Sequence, residues 1–168
     1  MRTAASQLAC TTCVTVNVGV GRDDFTDSTW RYYYDEDVIF TRVNFPHNMA
    51  PGNCPEGTGS IQVECYYSRK YRPLPEDTSD ISRRVIADLI RTGVIEESDK
   101  IVHNETRIID YANVIFDLDR EVNLPIVHAW LDEIGILYVG RFGEWGYHWT
   151  DEAFVSGERG ARRVLDGL

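Results

Sequence analysis

Four short runs rich in β-branched and aromatic residues occupy the chain up to Tyr67, and they confine its first part to an antiparallel sheet. Thr12 to Val20 alternates in β-branched residues and ends between Gly19 and Gly21, a strand with a turn behind it. Trp30 to Tyr34 and Val38 to Phe45 read as a hairpin across Asp35-Glu-Asp37. The segment from Pro46 to Gly59, with three prolines and three glycines, is a long loop. Ser60 to Tyr67 sets Ile61, Val63 and Cys65 on one face and Gln62, Glu64 and Tyr66 on the other. Four strands from one contiguous stretch predict a curved sheet with one face buried.

Helices and strands alternate after that. Pro75 to Asp80 supplies cap candidates; Ile81, Val85, Leu89 and Ile86 make an apolar stripe over residues 80–92, and Gly93 stops the helix. Arg107 to Phe116 reads as a further strand, sharing the sheet of residues 12–67. Asn123 to Ile134 reads as an amphipathic helix closed by Gly135. Ile136-Leu-Tyr-Val139 is a buried strand, and Asp151 to Leu165 a last helix. Strands followed by α/β alternation in one piece make the class α+β: a mostly antiparallel sheet covered by helices, ending in a strand–turn–helix unit. No internal repeat or linker breaks the chain, so residues 1–168 are expected to form a single domain.

Composition closes several functional classes. The chain has 168 residues, 43% of them hydrophobic, which suits a globular core. A net charge of −10 argues against nucleic acid, whose phosphates need clustered Lys and Arg. No apolar run reaches the ~20 residues that span a bilayer, and no basic amphipathic surface offers a membrane contact. The start, Met1 to Ala9, is too short an apolar stretch for a secretory signal, so the expected place is the cytoplasm. Cys10-Thr-Thr-Cys13 has CxxC spacing but runs into a strand where a redox motif opens a helix, and no second pair completes a zinc set. Buried free thiols are the expected state of Cys13 and its fellows. Gly19-Val-Gly21 lacks the third glycine and the helix of a dinucleotide fingerprint, and His47, His103, His128 and His148 show no metal spacing.

Chemistry concentrates in Gly140-Arg-Phe-Gly-Glu-Trp-Gly-Tyr-His-Trp-Thr-Asp-Glu-Ala-Phe154. Glycines allow close backbone approach, a helix start offers unpaired N–H groups, and flat rings can wall a slot. The competing reading is a tight turn that closes a sheet and buries its own tryptophans. Arg141 can meet a phosphate, or Glu144 or Asp151 on the turn. Asp151 can accept a ligand hydroxyl or cap the helix. Trp145, Tyr147 and Trp149 alternate, which favours core packing over a ligand wall. Gly157, Gly160 and Ala161 suit a close helix–sheet contact.

Tyr111-Ala-Asn-Val-Ile-Phe-Asp117, the following helix, and the run from Gly140 through Ser156-Gly-x-x-x-Ala161 together resemble the C-terminal region of FAD-dependent flavoproteins. These are the group of amine oxidases, protoporphyrinogen oxidase and UDP-galactopyranose mutase. Residues 37–45 and 55–64 look like the substrate-domain sheet of that group. The resemblance implies that Gly140 and Arg141 lie beside FAD, and that Thr150, Asp151, Glu152 and Ala153 present backbone N–H groups to it. It also implies a partner: the Gly-x-Gly-x-x-Gly element that holds the pyrophosphate is missing here, so the chain reads as the C-terminal part of such a flavoprotein. Either that dinucleotide-binding domain or a second copy of the chain is expected to cover residues 136–165, since exposed apolar faces find partners. Alone, the chain is expected to be catalytically inactive. A stand-alone α+β binding or interaction module that has lost flavin chemistry is the alternative. The small-molecule substrate, and the choice between oxidation and isomerisation, are left open.

Overall fold

A computed structural model describes residues 1–167. The fold is α+β and consists of two compact units: Thr12–Asp110, and Met1–Thr11 with the chain from Tyr111 onward.

The sheet unit holds five antiparallel strands in the order β2-β3-β4-β1-β5. They are β1 (Thr12–Val20), β2 (Trp30–Tyr32), β3 (Arg42–Asn44), β4 (Gly59–Tyr67) and β5 (Ile101–Ile109). On one face Val14, Val16 and Val18 of β1 meet Ile61, Val63 and Cys65 of β4, all essentially without solvent contact. Helix α3 (Ile81–Arg91) lays Ile81, Val85 and Leu89 into this core and ends before Gly93, whose φ of +69° suits glycine. Asp99 receives the Arg22 guanidinium at both oxygens, 2.5 and 2.9 Å, and this hydrogen bonding holds its carboxyl below the usual range.

Two strands differ from expectation for physical reasons. The hairpin is present, with Trp30 opposite Asn44, but β3 is cut short. Val38, Ile39 and Phe40 are buried but lie outside the ladder: the Ile39 N–H donates to the Asp88 carboxylate of α3 at 2.9 Å and not to a neighbouring strand. The last strand is centred earlier than expected, at Ile101–Ile109, and shares only residues 107–109 with the expected one. It is an edge strand, mostly exposed on both faces, so it lacks the apolar alternation that would have marked it. The segment from Pro46 to Gly59 contains a turn of helix, α2 (Pro46–Met49), and a 3₁₀ turn at Pro51–Asn53.

The second unit is helical: α1 (Arg2–Gln7), α4 (Leu118–Glu133), α5 (Gly140–Gly143) and α6 (Thr150–Leu165). Residues 9–11 pair with 112–115 through backbone bonds such as Thr11 N–H to Asn113 O, 2.7 Å. Helix α4 begins five residues before the expected start, because Asp117 accepts from the Arg120 N–H at 2.9 Å and caps it. It is not amphipathic. Val122, Ile126 and Trp130 face outward while Leu124, Val127 and Leu131 face in, and none of its residues is fully buried. Ile136 to Val139 is no strand: it runs extended against α6, where a Cβ on Gly160 would strike Val139, and Ile136 and Val139 stay exposed. Gly157, by contrast, faces open space. No helix among the described residues is long and apolar enough to cross a membrane.

Candidate functional site

The turn from Val139 to Thr150 is organised around one buried serine. Gly140 opens α5 at φ +73°, with nothing within 4 Å of where a Cβ would stand, and its N–H donates to Ser156 Oγ at 2.7 Å. Ser156, fully buried on α6, donates in turn to Glu144. Glu144 is also held by Arg159 at 3.2 Å and lies 3.4 Å from His148 Nε2. Burial works against its charge, but the Ser156 and Arg159 donors and the nearby cations outweigh it and hold the carboxyl below the usual range.

The expected site residues fall into three groups. Arg141 pairs with neither Glu144 nor Asp151: it bonds Asn113 Oδ1, its guanidinium lying 4.5 Å from the centre of the Tyr147 ring. Thr150, Asp151 and Glu152 form the exposed first turn of α6, whose leading N–H groups have no intrahelical acceptor by construction. Asp151 is not the cap: Trp149 is, and Glu152 accepts the Trp149 N–H at 2.9 Å. Ala153 must be corrected too, since its N–H already closes the first helical bond, to Trp149 O at 2.9 Å. Gly140, likewise, spends its N–H on Ser156 and leaves only its open side to a ligand.

The rings of the turn divide. Trp145 is only half-buried, short of the full core packing expected, whereas Tyr147 and Trp149 are 50% and 71% exposed. Trp145 also holds φ at +51°, a strained value for a bulky residue, and Arg120 fixes its carbonyl with two bonds of 3.0 and 2.8 Å. Three buried polar atoms without a partner lie within residues 141–148: Arg141 Nε, Trp145 Nε1 and His148 Nδ1. Each such group costs roughly 1–3 kcal/mol. Strain and unsatisfied polarity in one short segment mark it as built for more than closing a chain reversal.

A second polar surface, in the sheet unit, escaped the sequence reading. Cross-strand register sets Asn44, Gln62, Asn17 and Glu105 in one row and Arg42, Glu64, Thr15 and Arg107 in the next, on the face away from the core. Glu64 is buried there, 6% exposed, and accepts from Arg42 (2.5 Å), Asn44 (3.3 Å) and Tyr66 (2.5 Å). Burial and then the bond to Glu64 raise the Tyr66 hydroxyl; burial and then the Glu64 charge push the neighbouring Cys13 thiol up to about 12. Beside these rows opens a cleft of about 460 Å³, lined by Asn17, Ser60, Gln62, His103, Cys54 and Pro55 among others. Alternation pointed Glu64 outward, but only register brings Arg42, far away in sequence, onto it. Among the described residues no three His, Cys, Asp or Glu side chains are placed to hold a metal.

No family model matches the chain, and no curated protein matches it. Solved structures do: the fold is that of a segment of a mutase. The crystal structure of reduced UDP-galactopyranose mutase matches with a TM-score of 0.89 and 22% identity, over 99% of this chain and 36% of that one. The likeness is one of fold, and the chain spans little more than a third of that neighbour's length.

Proposed function

We propose that this chain is the C-terminal portion of a FAD-dependent oxidoreductase or mutase-like enzyme. In this reading the turn from Gly140 to Glu152 closes the flavin site, and the polar face of the sheet walls the substrate pocket. The observation that carries it is the likeness in fold of nearly the whole chain to part of UDP-galactopyranose mutase. The residues fit the group in kind. Asp151 and Glu152 at the helix start disfavour a phosphate, so the leading N–H groups of α6 suit the uncharged flavin and ribityl end. The open side of Gly140 permits close approach, and exposed Tyr147 and Trp149 offer flat walls. The flavin, when bound, supplies the chemistry; the chain's own part is to bind it, orient it and exclude water.

The same reading requires cover for α4, which is apolar on both sides and therefore built to be enclosed. A dinucleotide-binding domain would enclose it in the intact enzyme, and a second copy takes that role when the chain stands alone. Light scattering at tens of micromolar should give a dimer or larger, with residues 136–165 and α4 in the contact; a clean monomer contradicts this. The cofactor reading is tested by adding the purified chain to FAD and following flavin fluorescence, which rings stacked on the flavin quench. Saturable quenching supports it. Fluorescence unchanged by the chain supports the alternative, an interaction module without flavin.

A further inference from the structure

The geometry points to Ser156 and Glu144 as positioning residues that latch the cofactor-facing turn, a role that rests on the reading just given. Ser156 is the only side chain of α6 that both sits at zero exposure and bonds the turn, among the described residues. It works in both directions at once. Its oxygen accepts the Gly140 N–H at 2.7 Å, and its hydrogen goes to Glu144. A backbone group at the head of the turn and a carboxylate four residues on are thereby tied to one atom of the helix. A hydroxyl has the one donor and two lone pairs this needs; alanine has neither. Gly140 lies at φ +73°, one of several conformations open to glycine, and the bond to Ser156 selects it. The latch leaves the outer side of Gly140 open and uses none of the leading N–H groups of α6. It therefore prepares the turn before any ligand arrives.

Glu144 must be ionised to accept from all its donors. The groups that face it are Ser156 and Arg159 from α6, His148 from the turn and, through its charge, Tyr138 from the preceding segment. Its carboxyl is held below the usual range, so the latch is closed above the ordinary carboxylate titration and opens as pH falls through the lowered value.

Amide hydrogen exchange of the full chain tests this without any ligand, read as protection relative to the free peptide at each pH. In the wild type, Gly140 protection should drop in acid while Val63, in the core, keeps its own. Ser156→Ala should lower Gly140 protection by about tenfold at neutral pH, the equivalent of one hydrogen bond. Glu144→Gln keeps an acceptor for the hydroxyl but should abolish the acid step. Gly140 protection that ignores both substitutions, or that falls only in parallel with Val63, overturns the latch. A flavin titration on the same samples separates the two claims. If exchange behaves as described and the wild type leaves flavin fluorescence unchanged, the latch stands and the cofactor reading fails.

Discussion

Replacing Glu64 by leucine should lower the unfolding free energy by about 3 kcal/mol, although leucine is the more hydrophobic residue. The loss is not that of a surface ion pair. Glu64 is 6% exposed and gathers Arg42, Asn44 and Tyr66, so its removal leaves three donors facing one vacancy. Arg42 is the largest of these liabilities; its side chain is 37% exposed, which tempers the penalty, while its Nε is already buried without a partner. Glu64→Gln keeps one acceptor and should fall between the two. Urea unfolding reads the effect as a shift of the midpoint at constant slope. A leucine variant within about 0.5 kcal/mol of the wild type would mean that the network is solvated and that this face is an ordinary surface.

Leu89→Ala should cost about 2–5 kcal/mol, the range for truncating a fully buried leucine whose surroundings cannot collapse. Leu89 has no exposed surface, belongs to the same core as Val14, Val16 and Val18 of β1 and Ile61 and Val63 of β4, and is followed by Val94 and Ile95, whose N–H groups bond back to its carbonyl at 2.9 and 3.3 Å. Leu118→Ala is the matched control. Leu118 is 89% exposed at the head of α4, so the folded monomer should lose no more than about 0.5 kcal/mol. Urea unfolding of both variants checks the pair; similar losses at the two positions would contradict the assignment of the core.

The sheet and α3 were legible in the sequence because each pairs a strong periodicity with a clear stop: alternation in Val14 to Val18 and Ile61 to Cys65, and the Ile81, Val85, Leu89 stripe before Gly93. Legibility failed where partners decide. Strand β5 pairs along β1 with a largely polar sequence, and pairing energy lies in backbone bonds that composition does not record. Ile136 to Val139 has the composition of a buried strand but, among the described residues, no strand beside it in its unit, so it stays partly exposed. For the turn, residue types located the region: glycines, rings and a helix start. They did not tell which N–H groups are spent internally, as those of Gly140, Trp149 and Ala153 are. Nor did they mark Ser156, a small polar residue whose role exists only once α6 is folded against the turn. Glu64 was concealed for a related reason, since a charge on the outward face of a strand reads as solvated until register sets Arg42 beside it.

Isothermal titration of the chain with FAD, alongside Asp151→Ala and Arg141→Ala, bears most directly on the central claim. Asp151 is exposed and takes no part in the helix cap, so its loss should leave α6 intact and act on the ligand alone. Arg141 stacks on Tyr147 and holds Asn113, so its removal frees the turn as well as a charge, and salt should weaken the wild-type interaction. The account predicts a dissociation constant in the micromolar range, because nothing here holds the pyrophosphate, and a weakening of more than tenfold, about 1.4 kcal/mol, in each variant. Tight binding that survives both substitutions, or no heat at any FAD concentration, would contradict it.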